Sequence, residues 1–268
     1  MKKRMIALFA VALLLLSLAG CSGSEHRKAK SLYKKGEYTA ALEIFESLGN
    51  EEMALKCRMG NANALMEKGD YAQAAQYYGE LGNYENSTAL YRKARLHQLW
   101  QYILDHGEIS SDGSKVISGI FNGKGIFLNA DKEIPGTIYL FLHDEKHVLA
   151  DFTYDMVLRI ENGHDLASVT AEHNMKISMG GSDSTSNSTY QGNLNLVSFS
   201  RGEHITLTAY NQVGVDMHGK ATSNQNLEDA PVEELYSNLY DLIDGAAQLI
   251  ELTGTGVTLR DLGFAVWE

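Results

Sequence analysis

The sequence predicts an α+β multidomain protein: N-terminal α-α helical repeats, then an antiparallel β-rich domain with one C-terminal helix packed on its sheet. Three observations predict it. A spaced pattern beginning at Gly36 recurs at Gly69, an offset of 33 residues, which suits two helices and their turns. Beyond Gly107 the apolar period changes from helical to two, with turn clusters between the runs. Near the C-terminus Asp229-Ala230-Pro231 opens a second helical stripe, with Asp as cap and Pro in the first turn.

The leader comes first in chain order. Met1-Lys2-Lys3-Arg4-Met5 precede an apolar run from Ile6 to Leu18, broken only by Ser17, and the run ends in Leu18-Ala19-Gly20-Cys21. A basic start, a short apolar core and small residues before a cut mark a secretory signal. The run falls short of the roughly 20 residues a spanning helix needs. Leu18-Ala19-Gly20-Cys21 resembles the lipobox of bacterial lipoproteins, whose cysteine thiol receives a diacylglyceryl group before cleavage in front of it. The resemblance implies loss of residues 1–20, acylation of Cys21 (palmitate being one such chain) and a mature protein anchored in the cell membrane, on its extracytoplasmic face. Residues 21–24, Cys21-Ser22-Gly23-Ser24, then form a short lipidated tether.

The whole chain carries 23 basic and 34 acidic residues. Loss of Lys2, Lys3 and Arg4 with the leader leaves 20 against 34, and from Asp105 onward nine basic residues face 24 acidic ones. So acidic a domain repels phosphate backbones and anionic head groups, which argues against nucleic acid and leaves membrane contact to the lipid on Cys21. Lipidation uses one of the two cysteines, so Cys57 has no disulfide partner. Met53, Ala54, Leu55 and Ala62 accompany it in a helical pattern, and no His or Cys stands at ligand spacing, so a buried structural thiol is expected.

Residues 25–105 hold the repeat. Gly36-Glu37-Tyr38-Thr39-Ala40-Ala41 recurs as Gly69-Asp70-Tyr71-Ala72-Gln73-Ala74, Phe45 matches Tyr78, and Leu48-Gly49-Asn50 matches Leu81-Gly82-Asn83. The pattern resembles tetratricopeptide-type repeats, in which the Gly turns the first helix into the second and the Tyr and Ala after it seat that second helix. Ala62 stands where that family places a small residue. The closing proline is absent, and Arg58 occupies the place of the first-helix aromatic. A helix from about Glu85 to Asp105, with Leu90, Ala94, Leu96 and Leu99, is read as a cap leading into the next domain. The resemblance implies a protein partner held in a concave face, with Tyr33, Tyr38, Tyr71, Tyr77 and Tyr78 as candidate lining. At helical spacing such tyrosines also serve packing between helices. Repeat-plus-β lipoproteins of this kind resemble those of Gram-positive bacteria, which implies the outer face of the cytoplasmic membrane.

Residues 106–268 form the acidic antiparallel β-rich domain. Gly107 is expected to end the preceding helix as a left-handed cap. Residues 148–160 and 167–179 alternate apolar and polar side chains and read as two long strands, each with one buried face. Glu161-Asn162-Gly163-His164-Asp165 joins them in a hairpin. Shorter strands are expected over 116–121, 126–129, 137–142, 193–200, 205–210 and 263–267, in a meander. Gly180 to Thr189 reads as a mobile hairpin tip. Helix 230–251 carries Val232, Leu235, Leu239, Leu242, Ala246 and Leu249 in one stripe. Its charged residues, Glu233, Glu234, Asp241, Asp244 and Glu251, are all acidic. It is expected to lie across the sheet.

No motif predicts catalysis. His143-Asp144-Glu145-Lys146-His147 looks like a scrambled H-E-x-x-H, but that chemistry needs both histidines on one helix face with Glu directly after the first. Here Asp144 holds the Glu position and the segment reads as a polar turn. His164, His204 and His218 fall near turns, and His173 reads as a core residue. Gly180-Gly181-Ser182-Asp183-Ser184 fails the last position of a nucleophile elbow, and Ser31-Leu32-Tyr33-Lys34 lies within a repeat helix. No calcium-binding loop, phosphate loop or dinucleotide fingerprint is present. The expected function is thus a non-enzymatic lipoprotein that needs no cofactor or metal and binds a protein partner through its repeats. The alternatives are a lipid or small-molecule carrier with a cavity between sheet and helix, or self-assembly through the repeats; the oligomeric state stays open.

Overall fold

The computed structural model describes residues 23–147, 150–161, 165–179, 182–203, 205–215, 221–226 and 233–267. The chain divides into two compact units after Tyr91. Residues 1–20, read as a leader, Cys21, Asn162-Gly163-His164, Gly180-Gly181, His204, His218 and Asp229-Ala230-Pro231, expected as a cap, lie outside the described residues.

In the helical unit α1 covers 23–34, α2 Tyr38–Ser47, α3 Glu51–Lys68 and α4 Tyr71–Glu80; α5, Ser87–His106, begins there. Gly23 and Ser24, expected in the tether, are helical, and the Arg27 Nε donates to the Gly23 carbonyl one turn back (3.2 Å). The repeat seen in the sequence is present in the backbone. Gly36 and Gly69 have φ of 79° and 80°, a region that costs glycine nothing. Both close their helix in the same way: Gly36 and Glu37 donate to the Tyr33 and Leu32 carbonyls, and Gly69 and Asp70 to those of Met66 and Leu65. The helix starts differ, since Asp70 caps α4 by accepting from the Gln73 N–H (3.3 Å) whereas Glu37 makes no side-chain cap on α2. Small residues let these helices approach. Ala29, Ala41, Ala62 and Ala74 are fully buried, and a Cβ added at Gly60 would lie 2.7 Å from the Tyr38 ring.

The β-rich unit is one nine-stranded sheet with every strand beside its sequence neighbour and every pairing antiparallel. Its strands are β1 Glu108–Ile109, β2 Lys115–Phe121, β3 Lys124–Ala130, β4 Ile138–His147, β5 Asp151–Ile160, β6 Leu166–Met179, β7 Ser182–Asn195, β8 Thr206–Val215 and β9 Ala221–Asn226. Helix α6, Glu233–Leu252, packs on β2 to β5. Leu235, Leu239, Leu242, Ile243, Ala246, Leu249 and Ile250 of α6 are buried, as are Leu128, Leu140, Met156, Leu158 and Val169 of the sheet. These side chains form one cluster between helix and sheet. Leu96, Leu99, Trp100 and Ile103 of α5 join the same core. The second half of that helix is therefore part of the β-rich unit.

Several expectations are corrected. Gly107 does not have positive φ; its lack of a side chain matters because a Cβ there would meet the Ile103 carbonyl oxygen at 2.6 Å and the Val116 nitrogen at 2.9 Å. Backbone atoms cannot swing aside, so Gly107→Ala will cost about 2 kcal/mol, the scale of overpacking. In urea unfolding of residues 21–268 the β-rich transition will move to lower denaturant, and an unshifted midpoint would show that the turn yields freely.

Residues 143–147 are strand, because β4 pairs with β5 from Ile138↔Ile160 to His147↔Asp151. The polar run 182–189 is also strand, laddered onto β6 as far as Met179↔Ser182. Conversely, the strand expected over 193–200 stops at Asn195, whose Oδ1 accepts from the Val197 and Ser198 N–H groups (3.1 and 3.3 Å) and turns the chain. Residues 263–267 form no strand. Asp261 Oδ2 accepts from the Thr258 N–H (2.9 Å), Gly263 has φ of 114°, and Phe264 is buried from a turn. β1 and β9 lie where no apolar alternation marked a strand.

Candidate functional site

The five tyrosines singled out in the repeats part company. Tyr78 is 1% exposed, its hydroxyl donates to Asn63 Oδ1 (2.7 Å), and burial pushes its pKa up to about 12. It is core. Tyr38 lies edge-on to Tyr33 (5.4 Å between rings) and against Gly60. Tyr33, Tyr38, Tyr71 and Tyr77 keep partial exposure. A cleft of about 390 Å³ elsewhere in this unit is lined by Asn50, Ala54, Leu55 and the Glu46–Arg58 ion pair (2.5 Å). Cys57 is fully buried, and desolvation lifts its thiol to about 11, so the thiolate is scarce at neutral pH.

In the β-rich unit the structure brings together a polar row that no motif announced. Cross-strand register places Asp144, Tyr154, His173 and Ser188 side by side on β4 to β7, on the helix-facing side of the sheet. Asp144 is 3% exposed and accepts from Lys146 Nζ (2.8 Å), Tyr154 is fully buried, and Ser188 is 5% exposed. His173 packs edge-on to Phe152 (4.6 Å). A serine, a histidine and a carboxylate thus share a row, but a nucleophile has to be presented to its substrate. Burial withholds the Ser188 hydroxyl. On β3, Lys124 donates to Asn238 Oδ1 (2.6 Å) and pairs with Asp241, whose other oxygen accepts from Asn122 (2.9 Å). A third cluster forms about one turn further along α6. Asp244 accepts from Arg201 (2.6 Å) and from Trp267 Nε1 (3.0 Å), and the Trp267 ring stacks on Phe199 (5.4 Å). The sequence displayed the acidic residues of α6, but nothing in its local pattern named Lys124 and Arg201 as their partners.

The other face of the sheet carries His143, Glu145 and His147 on alternate positions of β4. His143 Nδ1 meets Asp155 Oδ1 at 2.7 Å; His147 meets Asp151 at 3.0 Å and Glu145 at 2.9 Å. The first-named contact of each histidine is the main cause that raises its pKa, Asp155 for His143 and Asp151 for His147, with Glu145 adding to both. A folded pKa above the unfolded value makes the ladder most stabilising below about pH 6.5. The contribution fades as pH rises through the two folded values. Two-dimensional NMR will show both imidazoles titrating above 6.5, and amide protection at the β4–β5 tip decreasing through the same range. Protection that rises with pH instead would contradict the hydrogen-bonded ladder. Among the described residues no group of three or more His, Cys, Asp or Glu is arranged to hold a metal ion, and no helix is long and apolar enough to cross a membrane.

No protein-family model, curated protein or solved structure matches this chain.

Proposed function

We propose that the mature chain is a lipid-anchored extracytoplasmic lipoprotein that holds a protein partner through its N-terminal helical repeats and performs no catalysis. Acyl chains on Cys21 place it at the membrane, on the Gram-positive cell surface in the reading drawn from the repeat-plus-β arrangement. One observation carries the choice of the repeats as the binding element. Two turns 33 residues apart, at Gly36 and Gly69, share φ and hydrogen bonding, while Tyr33, Tyr38, Tyr71 and Tyr77 keep part of their rings accessible. Partly open, rigid aromatic side chains provide contact area at low entropic cost. The carrier alternative would need a cavity under α6, where leucines and isoleucines of helix and sheet pack into one cluster.

The test is photo-crosslinking in the native host with benzoylphenylalanine at Tyr71 or Tyr77 of the full-length protein. A discrete protein adduct from these positions, and none from an exposed position such as Leu166 in the β-rich unit, is the expected result. Adducts from Leu166 alone, or a small bound molecule retained by the purified chain, would move the function to the β-rich unit.

A further inference from the structure

We propose that the outer edge of β2 is a docking site for an extended cationic protein segment, which joins the sheet as an additional strand and seats one apolar side chain in the cleft beside it. β3 pairs with β2 from Val116 to Phe121, but β1 meets β2 only at Glu108↔Val116 and Ile109↔Lys115. From Ile117 to Phe121 the strand is thus paired on one side, and among the described residues no strand lies on the other. Alternate residues of such a run turn N–H and C=O groups outward, a template for strand addition. Sheets ordinarily blunt such edges with charge or proline. Residues 117–121 contain neither.

The surroundings fit an occupant. Ile120, on the face of β2 away from α6, is 76% exposed, and Ile109 and Leu252 are 73% and 80% exposed, apolar groups that an added strand and its side chains could cover. Ile117, Gly119 and Phe121 share the helix-facing side with Leu128 and Ile126. On that side a cleft of about 240 Å³ opens between the ends of α5 and α6, lined by Tyr102, His106, Ile117, Leu249, Leu252 and Thr253. The volume is below the roughly 300–1,000 Å³ typical of small-molecule sites and suits a single side chain. Charge selects the kind of strand. Glu108 lines the cleft, exposed Asp105 and Glu251 flank its lining residues in the chain, and Lys115 is engaged with the Gly107 carbonyl (2.9 Å). A segment alternating basic and apolar residues complements this border. A second copy of the same edge would bring like charges together.

The inference does not rest on the repeat reading. Its probe is a fluorescein-labelled peptide alternating lysine with valine and leucine, added to the whole mature chain, with the glutamate counterpart as control. Anisotropy will rise with the lysine peptide only, less so as salt increases, and amide exchange of residues 117–121 will slow in the complex. Ile120→Lys and Leu252→Lys, both at exposed positions that leave the fold intact, will weaken binding by about tenfold through like charge. Absence of binding, equal binding of the glutamate peptide, or unprotected amides at 117–121 would each overturn the proposal. So would a chain that is dimeric by itself through this edge. None of these outcomes touches crosslinking from Tyr71 and Tyr77, which belong to the other unit.

Discussion

Lys124→Met is expected to destabilise the β-rich unit by about 3 kcal/mol, the lower end for breaking a buried ion pair from one side. The Lys124 and Asp241 side chains are only 12% and 19% exposed, so water screens the pair weakly. Removing the ammonium leaves the Asp241 carboxylate with the Asn122 amide but without its cation, and leaves Asn238 Oδ1, on a residue 5% exposed, without its charged donor. For a unit of this size each kcal/mol moves Tm by about 2–4 °C, so a fall near 10 °C is expected by calorimetry. Lys124→Met combined with Asp241→Leu will recover most of the loss, because the cost lies in the orphaned charge more than in the attraction. A single-variant cost under about 1 kcal/mol, the level of exposed ion pairs, would show that the pair is wetter than its burial indicates.

Cys21→Ser is expected to abolish lipid attachment altogether. A serine hydroxyl cannot take the place of the thiol in the thioether, and in the lipobox reading cleavage follows lipidation. Cells fed an alkyne fatty acid will label the natural chain and leave the serine variant at background. Intact mass will show residues 1–20 retained. A single acyl chain holds a protein only reversibly, with a partition constant of about 10⁴ M⁻¹, so firm anchoring needs the second chain of the diacylglyceryl group. A chain that starts at residue 22 behind an unrelated secretory leader will accordingly be recovered in the soluble fraction. Unchanged labelling of the serine variant would place the lipid elsewhere or remove the lipoprotein reading.

Where side-chain burial dictates structure, the sequence was legible. The stripe of Leu235, Leu239, Leu242, Ala246 and Leu249 on α6 and the alternation from Phe152 to Ile160 both translate into the filled core. The antiparallel meander followed from turn clusters. Elements held chiefly by the backbone ladder were not legible. β7 is rich in Ser, Thr and Asn, and its polar side chains gave no sign that the chain there is laddered to β6 over fourteen residues. His143 to His147 looked like a turn because its residues are polar, although the strand needs only their N–H and C=O groups. At Gly107 the residue was right and the reason was not: crowding by a neighbouring backbone leaves no trace in local pattern. The row of Asp144, Tyr154, His173 and Ser188, three of them buried, depends on register across four strands, which no local motif encodes.

The meander has a temporal consequence. Each strand pairs with the one made just before it, so the sheet can assemble in order as the chain emerges, with short loops to close. The exception is α6, which contacts strands β2 to β5, made from 73 to 118 residues before its first residue. Until residues 233–252 arrive, Leu140, Leu142, Met156 and Leu158 lack the α6 part of their core. Synthesis of this protein therefore passes through an interval in which a nearly complete sheet is sticky and open to proteases, and synthesis halted before α6 yields a product marked for disposal by its own incompletely covered face.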